Sequence, residues 1–103
     1  MTRDLRFTTE ARKNLREISD FISDASGSED VAESFVSQLV ERCRHIASLP
    51  GILGTHRVEL REDIRSTPHK GYLIFFRYRD EALEIVTILH GSRDTATCFA
   101  DGE

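Results

Sequence analysis

The chain is short of cysteine, of chain breakers and of long apolar runs, and each shortage closes off a class of protein. Cys43 and Cys98 are its only cysteines, and neither has a second Cys at metal-binding spacing, so no zinc site is expected. A disulfide between them stays open from the sequence alone, although a reducing cytoplasm disfavours it. Two prolines and six glycines are too few for wholesale disorder. No apolar stretch approaches the roughly 20 residues that span a bilayer. The opening Met1-Thr2-Arg3-Asp4-Leu5-Arg6 lacks the apolar core of a signal peptide. A cytoplasmic protein without membrane attachment is therefore expected. Excess positive charge is missing too: the formal net charge is −4, which disfavours broad electrostatic capture of nucleic acid. Nor is there a nucleophile triad, a Gly-rich phosphate loop or a metal-binding helix motif. His45, His56, His69 and His90 are scattered, so no metal and no cofactor are expected.

What is present reads as one domain of 103 residues, with 39% hydrophobic and 31% charged residues. Leu5-Arg6-Phe7-Thr8 alternates like a short edge strand. Thr8 or Thr9 can cap a helix whose apolar stripe is Ala11, Leu15, Ile18, Phe21, Ile22 and Ala25. Ser26-Gly27-Ser28 breaks it, Gly27 suiting a left-handed helix end and Ser28 the next start. Ala32, Phe35, Val36, Leu39, Val40, Cys43, Ile46 and Ala47 form a second stripe, stopped by Leu49-Pro50-Gly51. Core packing is the plain role of both stripes, Cys43 included. Gly51 to Arg61 reads as a connection. Ile64 to Thr67 can be a short strand before Pro68, with a turn at His69-Lys70-Gly71.

Two stretches are confident strands: Tyr72 to Tyr78 and Leu83 to His90, joined by a hairpin-length Asp80-Glu81-Ala82. The expected fold is α+β: an N-terminal strand, then an antiparallel helical hairpin packed on a mostly antiparallel sheet of three to four strands. Strict alternation puts Leu73, Phe75 and Arg77 on one face of the first strand. In the second strand it opposes Glu84, Val86, Ile88 and His90 to Ile85, Thr87 and Leu89. Both faces are substantially apolar, yet one hairpin covers only one. Either the sheet curls over its second face or a partner covers it.

Charge is uneven. Asp20 to Glu33 is acidic, whereas Arg57, Arg61, Arg65, Lys70, Arg77, Arg79 and Arg93 recur later. Metal-free RNA cleavage would need a base, a cation for the phosphorane-like state and an acid. His90, Arg77, Arg93, Arg65 and Tyr72 could supply them, and alternation places His90 and Arg77 on one face. Each also has a structural role open to it. Arg77 can pair with Glu84, Tyr72 can be a half-buried sheet aromatic, and Arg93 with Asp94 can close a strand end.

Several pieces run in a fixed order: the opening strand, Ala11-x3-Leu15-x2-Ile18-x2-Phe21-Ile22, then Ala32-x2-Phe35-x3-Leu39. Leu49-Pro50 with Gly54, Ile64-Arg65, Tyr72 to Phe76, and Ile85 to His90 followed by Gly91-Ser92-Arg93-Asp94 complete it. Across nearly the whole chain this order resembles the ParE branch of the RelE/ParE toxin superfamily of bacterial toxin–antitoxin systems. The resemblance implies one toxin domain over residues 1–103, with 95–103 a tail or edge strand. It implies a ParD-type antitoxin that wraps the toxin, and operator DNA reached only through that antitoxin. It implies DNA gyrase as target, and a poison rather than an enzyme. The RelE branch instead cleaves mRNA on the ribosome, using basic sheet residues and a tyrosine near the C-terminus. The tail here has neither tyrosine nor basic residue, which favours the gyrase branch. A RelE-like endonuclease, or a binding module with weak or lost toxicity, is the alternative. Expected toxicity or target-binding residues are Arg65, Tyr72, Arg77, His90 and Arg93. Expected antitoxin-binding residues are Leu73, Phe75, Val86 and Ile88.

Overall fold

The computed structural model describes residues 3–57 and 63–91. The order is β1 (Asp4–Phe7), α1 (Thr9–Ser26), α2 (Glu29–Ser48), β2 (Thr55–His56), β3 (Arg65–His69), β4 (Tyr72–Arg79) and β5 (Ala82–His90). It is the expected α+β arrangement of a helical hairpin on a mostly antiparallel sheet. The strands lie in the order β1-β5-β4-β3-β2. Only β1 runs parallel, against the first half of β5. The two-residue β2 adds a short edge within what reads in sequence as a connection.

Local chemistry sets the helix ends. The Thr8 hydroxyl accepts from the Ala11 amide at 3.0 Å, and the Ser28 hydroxyl accepts from the Val31 amide at 3.2 Å. Each satisfies an amide that the first helical turn cannot. Gly27 closes α1 at φ 72, its N–H donating to the Ser23 carbonyl, in the left-handed conformation that glycine adopts without a Cβ clash. Pro68 is accepted inside β3 because β2 pairs only with Arg65 and Ser66, so among the described residues no strand lies on that side of Pro68. The β4–β5 turn is tighter than the sequence suggests. Asp80 and Glu81 alone form it, both at positive φ, the twist that two-residue hairpins need.

Burial is continuous on the helix side. Ala11, Ile18, Leu39, Cys43 and Ile46 of the helices meet Ile74, Phe76, Leu83, Ile85 and Ile88 of the sheet. The other side holds a smaller cluster of Ile64, Phe75 and Leu89, with Leu73 and Val86 packed on it. The chain itself thus closes the centre of the second face.

One irregularity decides what lies where. Phe75 pairs with Thr87 but Phe76 pairs with Ile85, so Val86 is an extra residue, a β-bulge. Beyond it the alternation of β5 inverts. Strict alternation is therefore wrong for this strand: Ile88 joins Ile85 under the helices, and Leu89 joins Val86 on the far face.

Candidate functional site

The inversion separates residues that alternation groups together. His90 pairs with Tyr72 on the helix side, whereas Arg77 pairs with Glu84 on the second face. His90 and Arg77 do not share a face. The Arg77 guanidinium donates to Glu84 Oε1 at 2.6 Å and lies 3.6 Å from Asp63. Paired with two carboxylates, it is a poor candidate to stabilise a substrate's developing charge.

Arg65 is also engaged. Its Nε donates to the Leu53 carbonyl at 2.7 Å and its Nη2 to Gly54 O at 3.0 Å. This clamp holds the loop before β2 against the sheet. Glycine is required there: at φ 82, a Cβ on Gly54 would sit 2.7 Å from the Phe76 ring and 2.8 Å from Ser66 O. Arg93, Cys98 and the tail lie outside the described residues, as does Arg61.

The antitoxin-binding quartet splits as well. Ile88 is 2% exposed in the helix-side core, and Phe75 is fully buried on the other face. Neither offers surface to a partner in this conformation. Leu73, Phe75 and Val86 share the second face, and of these Leu73 and Val86 are only partly buried.

What the fold does assemble is an aromatic corner where β4 begins and β5 ends. The Tyr72 ring meets Phe35 edge-on at 5.6 Å and His90 at 5.3 Å, while His69 lies 6.5 Å from Phe35. Burial pushes the Tyr72 phenol above its ordinary pKa. His69 is pushed down, first by burial and then by the Lys70 and Arg42 charges. Its Nε2 is buried with no hydrogen-bond partner, a position that favours the neutral ring. Lys70 donates to Gln38, and Arg42 reaches the Thr67 hydroxyl at 3.5 Å. Cys43 has no place in this chemistry, because burial raises its thiol to about 12.

Beside the corner, a cavity of about 390 Å³ opens between α1 and the end of β5, lined by Ile18, Phe21, Tyr72, Ile88 and His90 among others. Phe21 stands on the α1 stripe yet is 63% exposed. Periodicity marks it as core; in the structure it lines the cavity beside the end of β5, where β1 pairs with β5 only as far as Ile85. Asn14 is the other residue that sequence reading misses. It interrupts the α1 stripe between Ala11 and Ile18 and is 5% exposed. A polar residue at a stripe position was the available signal. Among the described residues no cluster of His, Cys, Asp and Glu could hold a metal ion. No helix there is long and apolar enough to cross a membrane.

This architecture is shared with solved toxin–antitoxin structures. The fold matches a structure of the chromosomal ParDE toxin–antitoxin system of P. aeruginosa. The TM-score is 0.75 at 19% identity, over 86% of this chain and 96% of that one. It also matches the RelBE2 toxin–antitoxin complex of Mycobacterium tuberculosis, with a TM-score of 0.55 at 17% identity, over 87% and 99% of the two chains. No curated protein matches by sequence. The family model for the ParE toxin of the type II toxin–antitoxin system parDE matches residues 5–95. The chain belongs to that family and is a type II toxin of the RelE/ParE superfamily.

Proposed function

We propose that this toxin acts by binding and inhibiting DNA gyrase, and that a ParD-type antitoxin neutralises it in the cytoplasm. The reading draws on the ParE family match and, above all, on the dispersal of the groups that RNA cleavage would need. Arg77 is tied to Glu84 and Asp63 on one face; His90 and Tyr72 stand on the other. Arg65 pairs with Phe76, four positions along β4 from Tyr72, and its guanidinium is committed to loop carbonyls. Arg77 and Arg65 are thus engaged away from His90, although a phosphorane-like transition state needs a cation beside its general base. Binding, rather than catalysis, is the function that such a surface supports.

For the antitoxin, the groove beside Phe21 replaces the sheet's second face as the docking surface. An exposed aromatic flanked by a cavity is the kind of apolar feature that a partner covers. Phe21→Asp should weaken antitoxin binding by about thirtyfold or more, the scale of an interface hot spot. The melting temperature of the lone toxin should hardly change. Wild-type affinity in that variant would refute the docking assignment.

Target class is tested with purified components. The toxin should inhibit supercoiling by gyrase and leave mRNA on translating ribosomes intact. Cleaved mRNA with unaffected gyrase would favour the RelE-type alternative, and His90→Ala should then abolish cleavage.

A further inference from the structure

We infer that Asn14 selects the register of β5 and thereby decides on which face of the sheet His90 stands. The inference is independent of the target and antitoxin assigned above. It begins from a degeneracy in the strand. Residues 85–89 read Ile-Val-Thr-Ile-Leu, apolar at both parities apart from Thr87. Burial specifies register strongly only where one face alone is apolar. Without the bulge, Val86 would oppose Phe75, Thr87 would oppose Ile74, and Leu89 would oppose Tyr72. Leu89 would then take the helix-side place of His90, and Ile88 would join the second face. Apolar burial changes little between the two pairings, yet the bulge gives up a ladder position. Hydrophobicity alone does not select the register observed.

Polar contacts from α1 and its cap do. Asn14 Oδ1 accepts from the Thr87 hydroxyl at 2.6 Å and from the Ile88 amide at 2.9 Å, both in a buried setting. The Thr8 amide donates to Ile85 O at 3.0 Å, and the Thr8 hydroxyl donates to Val86 O at 2.6 Å. Two successive carbonyls turned toward α1 are the backbone signature of the extra residue. In the unbulged pairing the Ile88 amide turns back toward β4. Asn14 then holds a buried acceptor without that donor, at the full desolvation cost. Asn14 is therefore a positioning residue: it acts on the Tyr72–His90 pair through the strand that carries His90.

The test is Asn14→Leu, similar in size and unable to accept. Nuclear Overhauser contacts between the Tyr72 and His90 rings should be lost, and the Ile74–Ile88 pairing should give way to Leu73–Ile88. Losing two buried bonds should shift the register ratio by on the order of tenfold or more. Asn14→Asp keeps an acceptor and should keep the wild-type contacts. Deleting Val86 removes the residue that the bulge accommodates, while Thr87, Ile88 and His90 keep their partners. Asn14→Leu combined with that deletion should therefore restore the Tyr72–His90 contact, whether or not Asn14→Leu folds alone. Wild-type contacts in Asn14→Leu, or failure of the double variant to restore them, would overturn the inference.

Discussion

On its helix side the sheet buries Ile74, Phe76, Leu83, Ile85 and Ile88 under two amphipathic helices, while among the described residues the far side buries Ile64, Phe75 and Leu89, with Leu73 and Val86 packed on them. The rims differ in kind as well. Arg77, Glu84 and Asp63 edge the far face with ion pairs. The helix side ends in the aromatic corner of Phe35, Tyr72, His69 and His90. Apolar area holds the first face, and a smaller core with a charged border holds the second. Among the described residues, Phe21 is the exposed aromatic beside the helix-side cavity.

Neighbouring phenylalanines give the largest effects. Phe76 and Phe75 are both fully buried and point to opposite faces. Phe76→Ala should cost about 3–5 kcal/mol, because the cavity forms inside the larger cluster and is walled by two helices. Phe75→Ala should fall at the lower end of that range, since its cluster is the smaller of the two among the described residues. Urea midpoints at constant slope measure both. Equal losses would mean that the far face is as tightly packed as the near one.

Legibility in the sequence follows the same division. Helix stripes, caps and both long strands were readable, because periodicity and Ser/Thr/Gly chemistry are local signals. The face assignments after Val86 were not. Alternation assumes an unbroken ladder, and the residue that breaks it answers to Asn14, over 70 positions away. The surroundings of Arg65 and Phe21 were hidden for a related reason. Arg65 is occupied by carbonyls that a loop brings to it, and Phe21 stands exposed beside the cavity at the end of β5. Arg77 with Glu84 was legible as one option because cross-strand partners of opposite charge face each other in the hairpin.

The charged border should matter less than the cores. Arg77→Met keeps the aliphatic stem and leaves Glu84 without its partner at 2.6 Å. Both side chains are partly buried, so the loss should be about 2 kcal/mol, the scale of a charge-assisted hydrogen bond. Arg77→Met with Glu84→Leu should recover most of it, because a half-buried ion pair and an apolar pair of similar volume are close in free energy. A double variant no more stable than the single one would assign Arg77 a role beyond the pair.

The smallest effect belongs to the aromatic corner and appears only as a dependence on pH. His69 has its pKa lowered from 6.5 in the folded chain, by burial first and then by Lys70 and Arg42. Between the lowered value and 6.5, the unfolded chain binds more protons than the folded one, so stability rises with pH across that window. The contribution is complete above about 6.5 and is lost as pH falls through 6.5 toward the folded value. His69→Phe retains a ring against Phe35 and has nothing to protonate. Its urea midpoint should therefore fall less than that of the wild type between about pH 7.5 and pH 5. The difference between the two curves isolates His69, because the rest of the sequence is the same in both proteins. Parallel curves would show that protonated His69 escapes the corner at little cost, and that this rim of the helix-side face is looser than the ion-paired one opposite.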